Sequence, residues 1–314
     1  MEVLCTIFSL PVTTYGLCTG LAMLSVLVVN GFWCMSHGQK YDAVVRVSLT
    51  VILLGWFFSR LVYAGSSYPL YMETSWIYAL YFWDGGYSLL GAYIGILLGV
   101  WLGAKWAKAD CGTVMDGVAI GLPVGLIIMR LAEQGTGLGV GWYVEEGWPE
   151  VGLLVEAEYG TAHAIYQYEA IAGVILFFAT ILWCLNRKHN KGSGMLTFTM
   201  LYGAFQVFFE SLRDDGHMEV HMGVHVQQVI AAFMLVVPVV IFLIQAFRRR
   251  ELKKPVLIVL LIAVVAMITV AIVAEFGVDR WSSKVLAYGL MIGCLVGIAV
   301  IGLVSRTLAN RRKS

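Results

Sequence analysis

Apolar runs recur along the whole chain, and short polar or basic segments separate them. Most of these runs reach roughly 18 residues or more, the length that an α-helix needs to cross a ~30 Å hydrocarbon layer. The long connection from about 132 to 166 differs, because it is rich in glycine and in acidic residues. The pattern therefore predicts nine membrane-spanning helices, near residues 14–35, 47–65, 86–104, 112–131, 167–186, 195–212, 223–247, 255–275 and 285–305.

The composition supports the same interpretation. The chain has 314 residues, of which 60% are hydrophobic and 13% are charged, and its mean hydropathy is +0.81. A soluble protein of this length has no core large enough to bury so much apolar surface. We therefore expect an all-α polytopic membrane protein. The net charge of +1 gives no indication of a nucleic-acid partner.

Basic residues alternate between the two ends of the predicted helices. They follow the first, third, fifth, seventh and ninth helices, whereas the opposite ends are poor in them. By the positive-inside rule, the N-terminus is expected outside and the C-terminus in the cytoplasm. The acidic connection is then extracytoplasmic. The basic residues are Lys40, Arg46, Lys105, Lys108, Arg187, Lys188, Lys191, Arg248, Arg249, Arg250, Lys253, Lys254, Arg306, Arg311, Arg312 and Lys313.

Ionisable residues at membrane depth are costly, and they often mark a functional site. Seven of them come from different segments but fall at one depth, near the outer leaflet, whereas Asp116 lies at the opposite end. Arginine at that depth is suited to a lipid phosphate, because its planar guanidinium donates two hydrogen bonds. Alternatively, helix ends simply tolerate charges whose side chains reach toward water. The seven residues are Arg60, Asp84, Arg130, His163, Glu169, Glu210 and Arg213.

The stretch LYGAFQVFFESLRDD (201–215) carries polar residues on an otherwise apolar helix. Gln206, Glu210 and Arg213 are spaced i, i+4 and i+7, so they share one face. Glu210 can pair with Arg213 one turn later, or with Arg130 from a neighbouring helix. Such a carboxylate would orient an arginine toward a substrate. The alternative is a purely structural ion pair between helices.

Five segments, in chain order, together resemble the phosphatidylglycerol–prolipoprotein diacylglyceryl transferase family. The similarity covers roughly residues 45–247, and it includes the family's spacing from Asp116 through Pro123 to the signature arginine. The segments are SRLVY (59–63), WDGGYSLLGAYIG (83–95), RLAEQGTGLGVG (130–141), HAIYQYEAIAG (163–173) and YGAFQVFFESLR (202–213).

The resemblance implies a seven-helix enzyme of the bacterial cytoplasmic membrane whose active site faces the outer leaflet. It implies transfer of the diacylglyceryl group of phosphatidylglycerol to the lipobox cysteine thiol of a prolipoprotein, with release of glycerol phosphate. Neither a metal nor a cofactor is implied. Residues 1–250 would form the transferase-like core. Residues 251–314 would add a C-terminal transmembrane hairpin with a basic tail.

The resemblance also assigns candidate residues. Arg130 is expected to bind the phosphate, Glu210 with Arg213 to orient it, and His163 to act as a base or as a capping or interface residue. The candidate catalytic residues are thus Arg130, Glu210 and His163. The candidate substrate-binding residues are Arg130, Arg213, Gln206, Tyr202, Glu133, Arg60, Tyr168, Glu169 and Gly141.

The chain departs from the family pattern at several of its motif positions. Gln206 stands where the family has a second key arginine, Leu90 where it has histidine or tyrosine, and Glu133 where it has asparagine. Glutamine cannot neutralise a phosphate, and an acid beside Arg130 can compete with one. The alternative hypothesis is therefore a catalytically impaired paralogue that binds lipid or lipoprotein without transfer.

A third hypothesis is a metal-dependent protein or a transporter. His217, His221 and His225 are spaced i, i+4 and i+8, which on a helix would place them on one face, as in metal sites. Gly216 and Gly223 do not favour such a helix, so a surface loop with solvent-facing histidines is the competing interpretation.

Overall fold

The computed structural model describes residues 3–7, 10–66, 75–81, 87–144, 152–186, 190–214, 220–221, 224–278, 280–281 and 283–309. Within these residues every helix that the sequence predicted is present. The helices are α1 (Thr14–Ser36), α2 (Tyr41–Ser66), α3 (Leu89–Ala107), α4 (Cys111–Ala132), α5 (Ile165–Leu185), α6 (Ser193–Leu212), α7 (Val226–Arg248), α8 (Lys254–Gly277) and α9 (Lys284–Ala309).

Short strands and one 3-10 turn lie in the described parts of the connections and in the segment before α1, and the sequence pattern did not predict them. The 3-10 turn covers Trp76–Leu80. The strands are β1 (Val3–Ile7), β2 (Leu10–Thr13), β3 (Val140–Tyr143), β4 (Leu154–Ala157), β5 (Gly160–Ala164), β6 (Val220–His221) and β7 (Val224–His225).

Eight of these helices are long and apolar enough to cross a membrane by length and composition, which confirms an all-α polytopic membrane protein. Helix α6 was also predicted to span, but it is not among the eight. It carries Gln206 and Glu210 inside its apolar sequence, and these two side chains lower its hydropathy. The polar residues that distinguish α6 are the ones that the structure buries.

The turns between helices have local causes in the sequence. The Ser88 side chain caps α3 by accepting a hydrogen bond from the backbone nitrogen of Gly91. Helix α3 ends at Lys108, which adopts a left-handed conformation with φ of 53°. Helix α8 begins with Pro255 in its first turn, where a missing backbone N–H costs nothing.

The described chain divides into two compact units. The smaller unit is Met23–Leu122 with Lys191–Ser193, and the larger unit is Met1–Ala22, Pro123–Asn190 and Gly194–Ser314.

In the smaller unit, α2 and α3 pack at very short distance. A side chain on Gly91 would overlap the carbonyl of Phe58, and one on Gly95 would overlap the carbonyl of Leu54. Small residues permit this backbone approach in membranes, where lipid competes for every apolar face. The hydroxyl of Thr50 also donates to the carbonyl of Gly99 at 2.9 Å.

In the larger unit, α6, α7, α8 and α9 share one hydrophobic core that includes Met200, Phe242 and Ile298. Helix α9 is anchored in this core near its C-terminal end by Arg306, which is fully buried. The Arg306 guanidinium lies 3.9 Å from the ring centroid of Trp183 on α5 and 5.6 Å from that of Phe242 on α7. Packing against two aromatic faces is one way to bury a cation in an apolar region.

The connection between α4 and α5 contains a three-stranded antiparallel sheet in the order β3-β5-β4. In its register Val140 lies opposite Ala164, and Leu154 lies opposite His163. Since β5 ends where α5 begins, the sheet fixes the position at which the chain enters that helix.

Candidate functional site

Six polar residues of the larger unit meet near the C-terminal ends of α4 and α6 and the first turns of α5. Sequence reasoning had placed them at one depth or in one binding set, and the structure brings them into contact. They are Arg130, Glu133, Glu169, Gln206, Glu210 and Arg213. We call these six residues the ion cluster.

Arg130 lies between two carboxylates. Its Nη1 is 2.6 Å from Oε1 of Glu133, and its Nε is 2.8 Å from Oε2 of Glu169. The second contact is short but lies outside hydrogen-bond directions, so it is an ion pair rather than a directed bond. Neither of these two contacts is made by the second terminal nitrogen of Arg130, Nη2.

Gln206 connects the other two carboxylates of the cluster. Its side-chain nitrogen donates to Oε1 of Glu169 at 3.1 Å and to Oε1 of Glu210 at 2.7 Å. All three side chains are buried. Gln206 therefore donates a hydrogen bond to one oxygen of each carboxylate without neutralising either charge. An arginine at this position would have added a positive charge.

Arg213 lies one residue beyond α6 and faces the same carboxylates at longer range. Its Nη1 is 4.0 Å from Oε2 of Glu169 and 4.0 Å from Oε1 of Glu210. The predicted pairing of Glu210 with Arg213 is thus present. The other predicted partner of Glu210, Arg130, instead forms its ion pairs with Glu133 and Glu169 in the part of the chain that the structure describes.

The backbone around Arg213 is held by strand β3. Gly141 and Arg213 form a β-bridge, and the backbone nitrogen of Asp214 donates to the carbonyl of Val140 at 2.9 Å. A side chain on Gly141 would lie 2.8 Å from the carbonyl of Leu212 and 2.6 Å from Ile165. Gly141 therefore permits the close approach that brings Arg213 to the cluster. Its predicted contact with substrate stays a prediction.

The ion cluster holds three carboxylates against two guanidinium groups, so it carries one excess negative charge if every group is ionised. Oε2 of Glu133 and Oε2 of Glu210 are buried without a hydrogen-bond partner among the described residues. Burial raises the pKa of the Glu133 carboxyl, and the nearby Glu169 charge acts in the same direction. Protonation of Glu133 would therefore relieve the excess charge.

The structure places two other predicted residues in the sheet or beside it rather than in the ion cluster. His163, expected at the start of a helix, lies in strand β5. The hydroxyl of Tyr168 accepts a hydrogen bond from the backbone nitrogen of Leu153 at 2.8 Å. No described hydrogen bond or ion pair joins His163 to the cluster. His163 thus flanks the start of α5, as predicted, but pairing with Leu154 holds it in an extended strand, and its role as a base stays a prediction.

Tyr202 and Arg60 complete the predicted set. Tyr202 lies one turn before Gln206 on α6, buried and stacked on Phe198. Arg60 belongs to the smaller unit, where its Nη2 donates to the carbonyl of Tyr78 at 2.8 Å. Roles for both in substrate binding stay predictions. Asp84 lies outside the described residues.

The histidine pattern does not form a helical face. His221 and His225 belong to the two-stranded β6–β7 hairpin, and His217 lies outside the described residues. Nδ1 of His225 is 2.9 Å from the backbone carbonyl of Glu210. Among the described residues no group of three or more histidine, cysteine, aspartate or glutamate side chains could hold a metal ion.

Sequence reasoning missed the aromatic residues beside the cluster. Trp142 follows Gly141 in β3, and its ring meets that of Tyr288 on α9. No spacing in the sequence links residues so far apart. Their only signal was an enrichment of aromatic residues typical of a membrane interface.

These features define a multi-pass membrane protein with a buried arginine–carboxylate cluster at the converging ends of three helices. A family model described as prolipoprotein diacylglyceryl transferase matches residues 2–244. The chain belongs to this family, and it is a multi-pass protein of the bacterial inner membrane.

Curated relatives named phosphatidylglycerol–prolipoprotein diacylglyceryl transferase agree with this membership. A protein of Nitratidesulfovibrio vulgaris is 29% identical over 179 residues, which cover 57% of this chain and 65% of the relative. One of Dehalococcoides mccartyi is 25% identical over 254 residues, covering 79% and 95%. One of Mycobacterium leprae is 25% identical over 264 residues, covering 77% and 79%.

Proposed function

We propose that this protein transfers the diacylglyceryl group of phosphatidylglycerol to the lipobox cysteine of prolipoproteins. The observation that carries the proposal is the Arg130 guanidinium, buried among carboxylates with one terminal nitrogen outside both ion contacts, in a chain of this family. The named activity of the relatives supports the same reaction.

In the proposed reaction the thiol sulfur attacks the glycerol carbon that bears the phosphate ester. A carbon–sulfur bond forms as the carbon–oxygen bond breaks, and glycerol phosphate leaves with the bonding electrons. Negative charge therefore grows on the phosphate in the transition state. Arg130 binds that charge through Nη2, and preorganised donors of this kind are among the largest contributors to catalysis.

The thiol proton needs an acceptor, because the thiolate is the nucleophile. Glu210 is better placed for this role than His163, since it belongs to the ion cluster and its Oε2 has no hydrogen-bond partner among the described residues. Glu169 and Gln206 position the charged groups. Glu133 competes with the phosphate for Nη1 of Arg130, so we expect its contact to loosen when substrate binds.

A mass-shift assay tests the proposal. Purified protein is incubated with phosphatidylglycerol vesicles and a lipobox peptide, and the mass of the peptide is measured by mass spectrometry. We expect a diacylglyceryl mass increase that falls at least about 100-fold in Arg130→Ala. Arg46→Ala is the matched control, because Arg46 is exposed and lies in the smaller unit.

Three outcomes would change the proposal. A mass increase that persists in Arg130→Ala would remove Arg130 from the mechanism. Absence of any increase, with phosphatidylglycerol binding that Arg130→Ala weakens, would favour the lipid-binding paralogue instead. Absence of both transfer and binding would overturn both functions.

We also propose that the α7–α8 turn faces the cytoplasm and that the ion cluster opens toward the outer leaflet. The basic residues Arg248, Arg249, Lys253 and Lys254 at that turn support this orientation. A reporter that is fluorescent only in the cytoplasm, fused after Arg250, should be fluorescent. A fusion protein that is fully expressed but not fluorescent would indicate the opposite orientation.

A further inference from the structure

Helix α9 lies beyond the residues that the family model matches, yet its first turns contact the surroundings of the ion cluster. The ring of Tyr288 meets that of Trp142 with centroids 6.5 Å apart, and that of Phe208 with centroids 6.1 Å apart, both edge to face. The Tyr288 hydroxyl is 3.5 Å from the backbone carbonyl of Ser211. Nζ of Lys284 lies 3.6 Å from the ring centroid of Trp142.

These partners all adjoin cluster residues in the chain. Trp142 follows Gly141, whose backbone is bridged to Arg213. Phe208 lies on α6 between Gln206 and Glu210, and Ser211 follows Glu210 directly. Tyr288 therefore contacts the backbone carbonyl of Ser211 and the side chain of Trp142, which lie on the two segments whose pairing places Arg213.

The backbone bridge to Gly141 is one of the contacts that place Arg213. Arg130 makes two ion contacts shorter than 3 Å, whereas the two ion pairs of Arg213 with Glu169 and Glu210 are both 4.0 Å long. Arg213 follows the last residue of α6, and helix ends fray. The backbone bridge to Gly141, and the contacts that hold that bridge, therefore contribute to the position of Arg213.

The other end of helix α9 is anchored in the core of the larger unit. Gly302 packs against Met200 and Val239, and the buried Arg306 lies on Trp183 and Phe242. We infer that α9 completes the active site and that Tyr288 is a positioning residue, which holds the β3–α6 junction so that Arg213 reaches the substrate phosphate. This inference rests on the proposed function.

A double-mutant cycle between Tyr288 and Arg213 tests it in the full-length protein. Tyr288→Ala, Arg213→Ala and the double variant are compared with wild type for kcat and KM of diacylglyceryl transfer and for phosphatidylglycerol affinity. We expect Tyr288→Ala to lower kcat/KM about tenfold, because small displacements of a charged contact are costly. In the Arg213→Ala background the same change should have little further effect.

Two further variants separate positioning from folding. Tyr288→Phe keeps the ring and should recover most of the loss, since the ring makes both aromatic contacts. Val285→Ala, at an exposed residue of the same turn, should match wild type. A purely structural role would instead lower activity equally in both Arg213 backgrounds, and that additive result would overturn the inference. Wild-type activity in Tyr288→Ala would overturn it as well.

The proposed function and this inference can fail separately. Transfer by the wild type with additive effects of the two substitutions would overturn only the inference. If the wild type binds phosphatidylglycerol without transferring it, the double-mutant cycle is measured as binding affinity instead. Coupling between the two substitutions then supports the positioning role, and additive effects overturn it. A wild type that neither transfers nor binds would overturn both.

Discussion

The α2–α3 pair and the ion cluster are two parts of this molecule that are built on opposite principles. Between α2 and α3 the contacts are set by size, since Gly91 and Gly95 bring one backbone against the other. In the ion cluster the contacts are set by charge, since three buried carboxylates lie against two largely buried guanidinium groups. The comparison indicates which substitutions each region tolerates.

The difference follows from the solvent in which the helices lie. Lipid covers an apolar helix as well as another helix does, so specific packing needs a shape that lipid cannot match. A buried charge, in contrast, has no acceptable environment except an opposite charge or a hydrogen bond. We therefore expect the α2–α3 pair to be sensitive to added volume and the ion cluster to be sensitive to changed charge at constant volume.

The largest effect should come from Glu169→Gln, which changes charge with almost no change in volume. Glu169 faces both Arg130 and Arg213, so its neutralisation removes one ion pair from each guanidinium group, although it also removes the excess negative charge of the cluster. Breaking a buried ion pair typically costs about 3–5 kcal/mol. Thermal unfolding in detergent and the transfer assay should both show the loss. If stability and transfer stay at wild-type values, the cluster is not held by charge.

Gly95→Leu should have the next largest effect and should act through volume alone. The new side chain would collide with the backbone of Leu54 and Gly55, and overpacking of this kind typically costs about 1–3 kcal/mol. Size-exclusion profiles and melting temperatures in detergent would measure it. Gly293→Leu is the matched control, because a side chain there meets open space. Equal stability of the two variants would show that the α2–α3 contact does not depend on the small size of Gly95.

The smallest effect should be a pH dependence of substrate affinity that originates at Glu133. Burial raises the pKa of this carboxyl, which faces Arg130, Arg213 and Glu169. As pH falls through that raised pKa, Glu133 becomes neutral and releases Nη1 of Arg130 for the phosphate. The KM for phosphatidylglycerol should therefore decrease severalfold toward acid pH, since the net contribution of one hydrogen bond is about 0.5–1.5 kcal/mol.

The variant Glu133→Gln should show the low KM at every pH and lose the pH dependence. The control is Asp110→Asn. Asp110 lies in the smaller unit, and its pKa is lowered, chiefly by a hydrogen bond from Lys191. The Asp110→Asn variant should therefore keep the wild-type dependence of KM on pH. A profile in Glu133→Gln that still follows wild type would assign the titration to another group.

Most residues of the ion cluster could be predicted from the sequence, but their pairing could not. The positions of Arg130, Glu169, Glu210 and Arg213 at one depth follow from helix length and orientation, which are local properties of the sequence. Which carboxylate meets which guanidinium depends on how each helix is rotated and how deep it lies. For this reason the sequence left Arg213 and Arg130 as alternative partners of Glu210. The structure pairs Glu210 with Arg213, and Arg130 with Glu169 and Glu133.

By itself, the sequence determined that this protein is a bundle of apolar helices, and it located those helices along the chain. It also determined the family resemblance. The length of the apolar runs and the order of the motifs are local properties of the sequence. Tertiary structure alone decided the rest. It extended His163 into a strand through pairing with Leu154, it made Gln206 a link between two carboxylates, and it brought Tyr288 to the segment that carries Arg213. These outcomes depend on contacts between residues distant in the chain, and no local period records such contacts.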